Sequence, residues 1–107
     1  MPYPDFTPES PFDEVWVESP DGQGLCALIN GDWGWLMYLR EAGDSGFSSR
    51  NPDYDGPPDA EIEYMIDNGQ SDLYPASWAI PVADVRRALA YFGREHQRPP
   101  FVVWRKY

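Results

Sequence analysis

The sequence predicts an α+β domain, a largely antiparallel β-sheet of five to six strands packed with one principal C-terminal helix. Three observations carry this expectation. Short β-branched and aromatic segments separated by turns and loops recur between Phe12 and Ile80, an Asn-Gly pair sits between the two most apolar of them, and beyond Pro81 the apolar period changes from that of a strand to that of a helix. Twelve prolines and nine glycines among 107 residues favour short elements joined by ordered loops over long helices.

Taken in order, Met1 to Pro11 carries prolines at positions 2, 4, 8 and 11, which excludes a regular helix or a central strand and predicts an extended arm ahead of a single domain over residues 12–107. Phe12 to Glu18 is short, β-branched and aromatic, and Ser19-Pro20-Asp21-Gly22 ends it as a turn, giving a first strand. Gly24 to Asn30 is an almost continuous apolar run, and Trp33 to Leu39 follows across Asn30-Gly31-Asp32, the strongest hairpin signal in the chain. Residues 41–59 mix Gly, Pro, Ser and acids without periodicity and are expected to form one long loop of functional interest. Ala60 to Ile66 alternates, with Ile62, Tyr64 and Ile66 on one face and Glu61 and Glu63 on the other, as a strand with one wet side does. A turn at Asp67-Asn68-Gly69-Gln70, a loop through Pro75 and a short strand from Ser77 to Ile80 come next, the last stopped by Pro81. Val82, Val85, Leu89 and Phe92 then recur at helical spacing with Arg86, Arg87 and Arg94 on the outer side, and Arg94 and His96 complement the helix dipole. Pro99-Pro100 ends the helix, and Phe101 to Trp104 forms the last strand.

Charge along the chain is sorted. Residues 1–72 hold sixteen acids against Arg40 and Arg50, a balance of −14, while residues 73–107 hold six bases against Asp84 and Glu95, a balance of +4. A field of the first sign speeds encounter with cationic partners and repels nucleic acid and anionic membrane. Neither a signal peptide nor an apolar run of spanning length is expected, and the single cysteine, Cys26, has no partner for an internal disulfide, so the expected address is the reducing cytoplasm.

Catalytic ingredients are sparse. His96 is the only histidine and lies at a helix end with no evident orienting carboxylate or nucleophile, so a structural role is expected. Cys26, inside an apolar strand, reads as a small hydrophobe. Asp44, Asp53, Asp55 and Asp59 lack the spacing of a calcium loop, so no metal or other cofactor is expected. Asn30-Gly31 and Asn68-Gly69 are turns, not phosphate cradles. Tyr54 between Asp53 and Asp55 suits an arginine-rich partner, since aromatic faces and carboxylates both attract guanidinium. Trp33 and Trp35 share a strand face, and packing accounts for most of the five tryptophans; sequence offers no means of choosing the exposed anchors among them.

The segments NGDWGWLMYLR, NGQSDLYPASWAIPVADVRRALAYF and RPPFVVW resemble the Imm1 family of bacterial immunity proteins over roughly residues 24–104, in the order and spacing of elements. The family pattern has a proline-led helix ending in an aromatic pair, matched by Pro81 to Phe92, then a proline and a late tryptophan, matched by Pro99 and Trp104. Trp104 and the helix carry over in structural roles only. Relatives often have a helix before the first strand, where this chain has its proline-rich arm. The resemblance implies a protein that binds and neutralises a polymorphic toxin encoded beside it, often a nucleic-acid deaminase.

The expectation is therefore a non-enzymatic, cytoplasmic immunity protein in a one-to-one complex with a deaminase toxin, binding neither nucleic acid nor membrane and blocking substrate access. The partner-binding residues expected are Asp53, Tyr54, Asp55 and Asp59 in the loop, Glu61 and Glu63 on the wet strand face, and Asp67 and Asp72 after it. An acidic nucleic-acid mimic that inhibits a DNA-binding or DNA-processing enzyme is the alternative, and a small hydrolase built on His96 is a third.

Overall fold

Seven consecutive buried or nearly buried residues in one strand, Gly24–Asn30, require cover on both faces of the sheet, and that requirement organises the molecule. The computed structural model describes residues 12–66 and 69–106; the proline-rich arm lies outside them. The main sheet contains β1 (Phe12–Glu18), β2 (Gly24–Asn30), β3 (Trp33–Leu39), β4 (Phe47–Arg50), the two-residue β7 (Ile80–Pro81) and β8 (Val103–Lys106). Its order is β1-β2-β3-β4-β8, with β7 also paired to β3, and every pairing is antiparallel. A separate antiparallel hairpin joins β5 (Glu61–Met65) to β6 (Ser71–Pro75). Among the described residues the one α-helix, α1, runs Val82–Glu95.

Strand parity divides the core in two. Leu25, Ala27 and Ile29 of β2, with Leu36 and Tyr38 of β3, face α1, where Val85, Ala88 and Phe92 are fully buried. Cys26 and Leu28, with Trp35, face the β5–β6 hairpin and its Tyr64. The order of layers is thus helix, sheet, hairpin. Close approach of α1 to the sheet depends on Gly34, where a Cβ atom would lie 2.6 Å from Val85 Cγ2 and 3.1 Å from the Leu28 carbonyl oxygen. On the other side the Trp35 and Tyr74 rings stack with centroids 4.7 Å apart.

The first strand, the hairpin across Gly31-Asp32, the one-sided strand and the helix stand where the sequence predicts them. Four expectations are corrected. Residues 41–59 are not one loop, because Phe47–Arg50 forms an interior strand between β3 and β8. Its serines are fully buried, and Ser49 supplies hydrogen bonds a loop-like sequence is not expected to supply: its Oγ accepts from the Leu36 N–H at 3.1 Å and donates to the Trp78 carbonyl at 3.0 Å. The expected loop before Pro75 is instead β6, held by pairing to β5. Ala76–Trp78 is a 3₁₀ turn, leaving only Ile80–Pro81 as strand. The last strand starts at Val103, two residues later than expected, while Phe101 and Val102 pack against the core.

The helix ends on His96 in the left-handed conformation (φ 54°), its N–H donating to the Phe92 carbonyl at 2.9 Å. Histidine is among the non-glycine residues enriched there. The Gln23 side chain then donates to the His96 carbonyl at 2.8 Å. His96 thus closes the helix with its backbone.

Candidate partner-binding surface

Acidic side chains in this fold fall into two sets, those spent on local structure and those left facing outward. Asp44 belongs to the first: Arg40 Nη2 lies 2.9 Å from Asp44 Oδ1, and the Arg40 backbone N–H donates to the other oxygen at 2.9 Å. The Arg40 side-chain hydrogen bonds, followed by that backbone bond, hold the Asp44 carboxyl below the usual carboxylate range. Asp21 likewise receives the Ser19 hydroxyl and the Gln23 amide, which lower its pKa.

Asp53 and Asp55 belong to the second set. Both are exposed, and among the described residues neither carboxylate is engaged in an ion pair or hydrogen bond. The loop that presents them is nonetheless fixed. The Asn51 N–H donates to the Ser77 carbonyl at 2.8 Å, the Asn51 side chain accepts from the Asp53 N–H at 3.0 Å, and the Asn51 carbonyl accepts from the Tyr54 N–H at 3.1 Å. Such an Asx turn orders the backbone locally. Tyr54 folds over Gly56, where a Cβ atom would lie 2.6 Å from the phenol oxygen, and its hydroxyl donates to the Pro57 carbonyl at 2.7 Å.

These residues line a groove of about 260 Å³ with Trp33. Trp33 is 44% exposed because it stands at the last pair of the β2–β3 ladder, opposite Asn30, where the sheet ends. A second groove, about 490 Å³, adjoins the first: Trp33, Asn51 and Asp53 line both, and Arg50, Asp84 and Val103 line the second.

Glu61 and Glu63 project from the outer face of the β5–β6 hairpin and are exposed. Glu63 pairs directly with Leu73, itself 59% exposed, so an apolar side chain sits among the carboxylates. Asp59, also exposed, lies in the connection between the Tyr54 loop and β5. Six of the eight expected residues are therefore carried by one continuous stretch of chain, 53–63, on the hairpin layer. Asp72 is placed differently: half-buried and paired with Tyr64, it shares the inward face of the hairpin and lies 3.4 Å from the Tyr74 hydroxyl. Asp67 falls outside the described residues.

Two contributors escape sequence reasoning. Trp33 shares strand parity with the buried Trp35, so only its place at the strand end exposes it. Leu73 is hidden in a segment with the composition of a loop. On the same side of the sheet, Trp16 is 53% exposed on the edge strand β1, and its indole N–H donates to Glu14 at 2.6 Å.

The helix layer has the opposite character. Arg86, Arg87 and Arg94 are exposed on α1, and two of them lie over aromatic rings, Arg87 3.8 Å from the Phe101 centroid and Arg94 5.7 Å from that of Tyr91. Among the described residues no group of three His, Cys, Asp or Glu side chains is arranged to hold a metal ion, and no helix is long and apolar enough to cross a membrane.

A fixed surface of carboxylates and exposed apolar side chains is suited to binding another protein. The family model for immunity protein Imm1 matches residues 6–106, nearly the whole chain. The chain belongs to the Imm1 family. Members of an immunity family act by binding a cognate toxin. The match extends the resemblance seen over residues 24–104 to β1 and into the proline-rich arm. No curated protein matches the chain.

Proposed function

We propose that this chain neutralises a nucleic-acid deaminase toxin by binding its substrate groove through the hairpin layer, in a one-to-one complex formed in the bacterial cytoplasm and without catalysis. The observation that carries the proposal is the joint presentation of unengaged carboxylates and exposed apolar side chains, Asp53 and Asp55 beside Trp33 and Glu63 beside Leu73. A deaminase that acts on nucleic acid requires a basic surface for phosphate and a pocket for the base. An acidic protein with apolar anchors matches the first and occludes the second: long-range attraction speeds capture, and desolvated anchors slow release.

The test is co-expression with the toxin domain encoded beside this gene, together with titration of the purified proteins. Rescue of growth and inhibition that is complete at one equivalent support the reading. A toxin that remains fully active in a stable complex would show that substrate access is not what binding blocks.

A further inference from the structure

The groove between Trp33 and Tyr54 has a chemistry more specific than a negative patch. Its volume, about 260 Å³, falls below the roughly 300 to 1,000 Å³ of sites that take drug-sized ligands, so it suits a single side chain. Trp33, Tyr54 and Ile62 give it apolar walls, and among the described residues Asp53 and Asp55 are its only charged lining residues and no cation lines it. The nearby Arg50 is directed elsewhere: its guanidinium lies 3.9 Å from the Trp78 ring centroid and donates to Ser48 Oγ and the Ser49 carbonyl. The Asx turn at Asn51 and the Tyr54–Pro57 hydrogen bond hold the walls in place without a ligand, which lowers the entropic cost of filling the groove.

Resting on the hairpin-layer reading above, we infer that this groove is the receptor for one arginine side chain of the toxin, whose guanidinium stacks on the aromatic walls while Asp53 and Asp55 accept its N–H donors. Arginine fits better than lysine because its planar, weakly hydrated group both stacks on rings and donates in a fork to carboxylates. The groove thereby supplies partner specificity that the diffuse charge of the layer does not.

The experiment separates this inference from the broader reading by using no toxin. The probes are three acetylated, amidated tripeptides, Gly-Arg-Gly, Gly-Lys-Gly and the neutral Gly-citrulline-Gly, titrated into the full chain while the indole N–H resonances are followed by NMR. Saturable shifts of the Trp33 indole are expected with the arginine peptide, weaker ones with lysine and none with citrulline. The Asp53→Asn/Asp55→Asn variant should weaken arginine binding by about tenfold or more, as loss of two charge-assisted contacts implies, and Glu41→Gln/Glu95→Gln should not. Equal response to arginine and citrulline, shifts centred on another indole, or an unchanged affinity in the Asp53→Asn/Asp55→Asn variant would overturn the inference. Trp33→Phe keeps an aromatic wall and is read by shifts at the Asn51 and Tyr54 amides; retention of arginine binding is expected there, and undiminished binding in a folded Trp33→Ala variant would show that the stacking assignment is wrong. A complex with the toxin that forms on α1 would overturn the broader reading while leaving these titrations unchanged.

Discussion

The helix layer and the hairpin layer cover opposite faces of the same sheet, yet they are built to different standards. On the helix side two part-buried polar groups are satisfied: the Tyr38 hydroxyl donates to Gln23 at 2.6 Å and the Trp104 indole to the Pro99 carbonyl at 2.8 Å. On the hairpin side the Trp35 indole N–H and the Tyr64 hydroxyl are buried without a hydrogen-bond partner among the described residues. Burial also pushes the Tyr64 phenol pKa up, so the group stays protonated, a donor with no acceptor. The helix layer carries exposed arginines and the hairpin layer exposed carboxylates. The layer proposed to meet the toxin is thus the one that is less well satisfied internally and more strongly charged, whereas the other holds the fold.

The largest effect that tests this division is truncation of the helix core. Phe92 is fully buried against Tyr38, their ring centroids 6.2 Å apart, and Phe92→Ala should cost about 3 to 5 kcal/mol, read as a lowered denaturant midpoint at unchanged slope. Leu89 is only partly buried, so Leu89→Ala should cost less. A loss at Phe92 no larger than that at Leu89 would mean that α1 is not the layer on which the fold depends.

Charge reversal comes next. Replacing Glu61 and Glu63 with Lys should slow association with the toxin by about tenfold at low salt and flatten its salt dependence, because exposed charges act through screened, long-range attraction. Reversal of Arg86 and Lys106 to Glu should leave the association rate unchanged or raise it. Stopped-flow measurement across ionic strength checks both, and a greater slowing from the second pair would assign contact to the wrong layer.

The smallest effects compare two tyrosines. Tyr38→Phe removes a satisfied hydroxyl and should destabilise by about 1 kcal/mol. Tyr64→Phe removes a buried hydroxyl without a partner and should be neutral or stabilise by a similar amount. Thermal unfolding of the two variants should shift in opposite directions, or only that of Tyr38→Phe should shift.

What the sequence makes legible follows from how much of each signal is local. The run from Gly24 to Asn30 is apolar at every position because both of its faces are covered, and α1 is written in the spacing of Val85, Leu89 and Phe92. By contrast, β4 depends on the hydroxyl of Ser49 meeting the backbone of β3 and the 3₁₀ turn, contacts that composition cannot announce. β6 depends on its partner β5. Because Ser71 to Pro75 has the composition of a loop, strand parity was not available to place Asp72 inward or Leu73 outward. Similarly, the carboxylates of residues 53–63 are evident from charge alone, whereas the exposure of Trp33 requires knowing where the sheet ends. Acids spent on Arg40 or Ser19 look no different in sequence from those left unengaged.

The claim that the hairpin layer is the face that meets the toxin is tested most directly by hydrogen–deuterium exchange of the chain alone and in its toxin complex. Added protection is expected across residues 51–65 and 71–75 and at the Trp33 end of β3, with exchange from α1 unchanged. Protection confined to α1 and the residues following it, with residues 51–65 exchanging as in the free protein, would contradict the assignment and leave the acidic layer without a part in recognition.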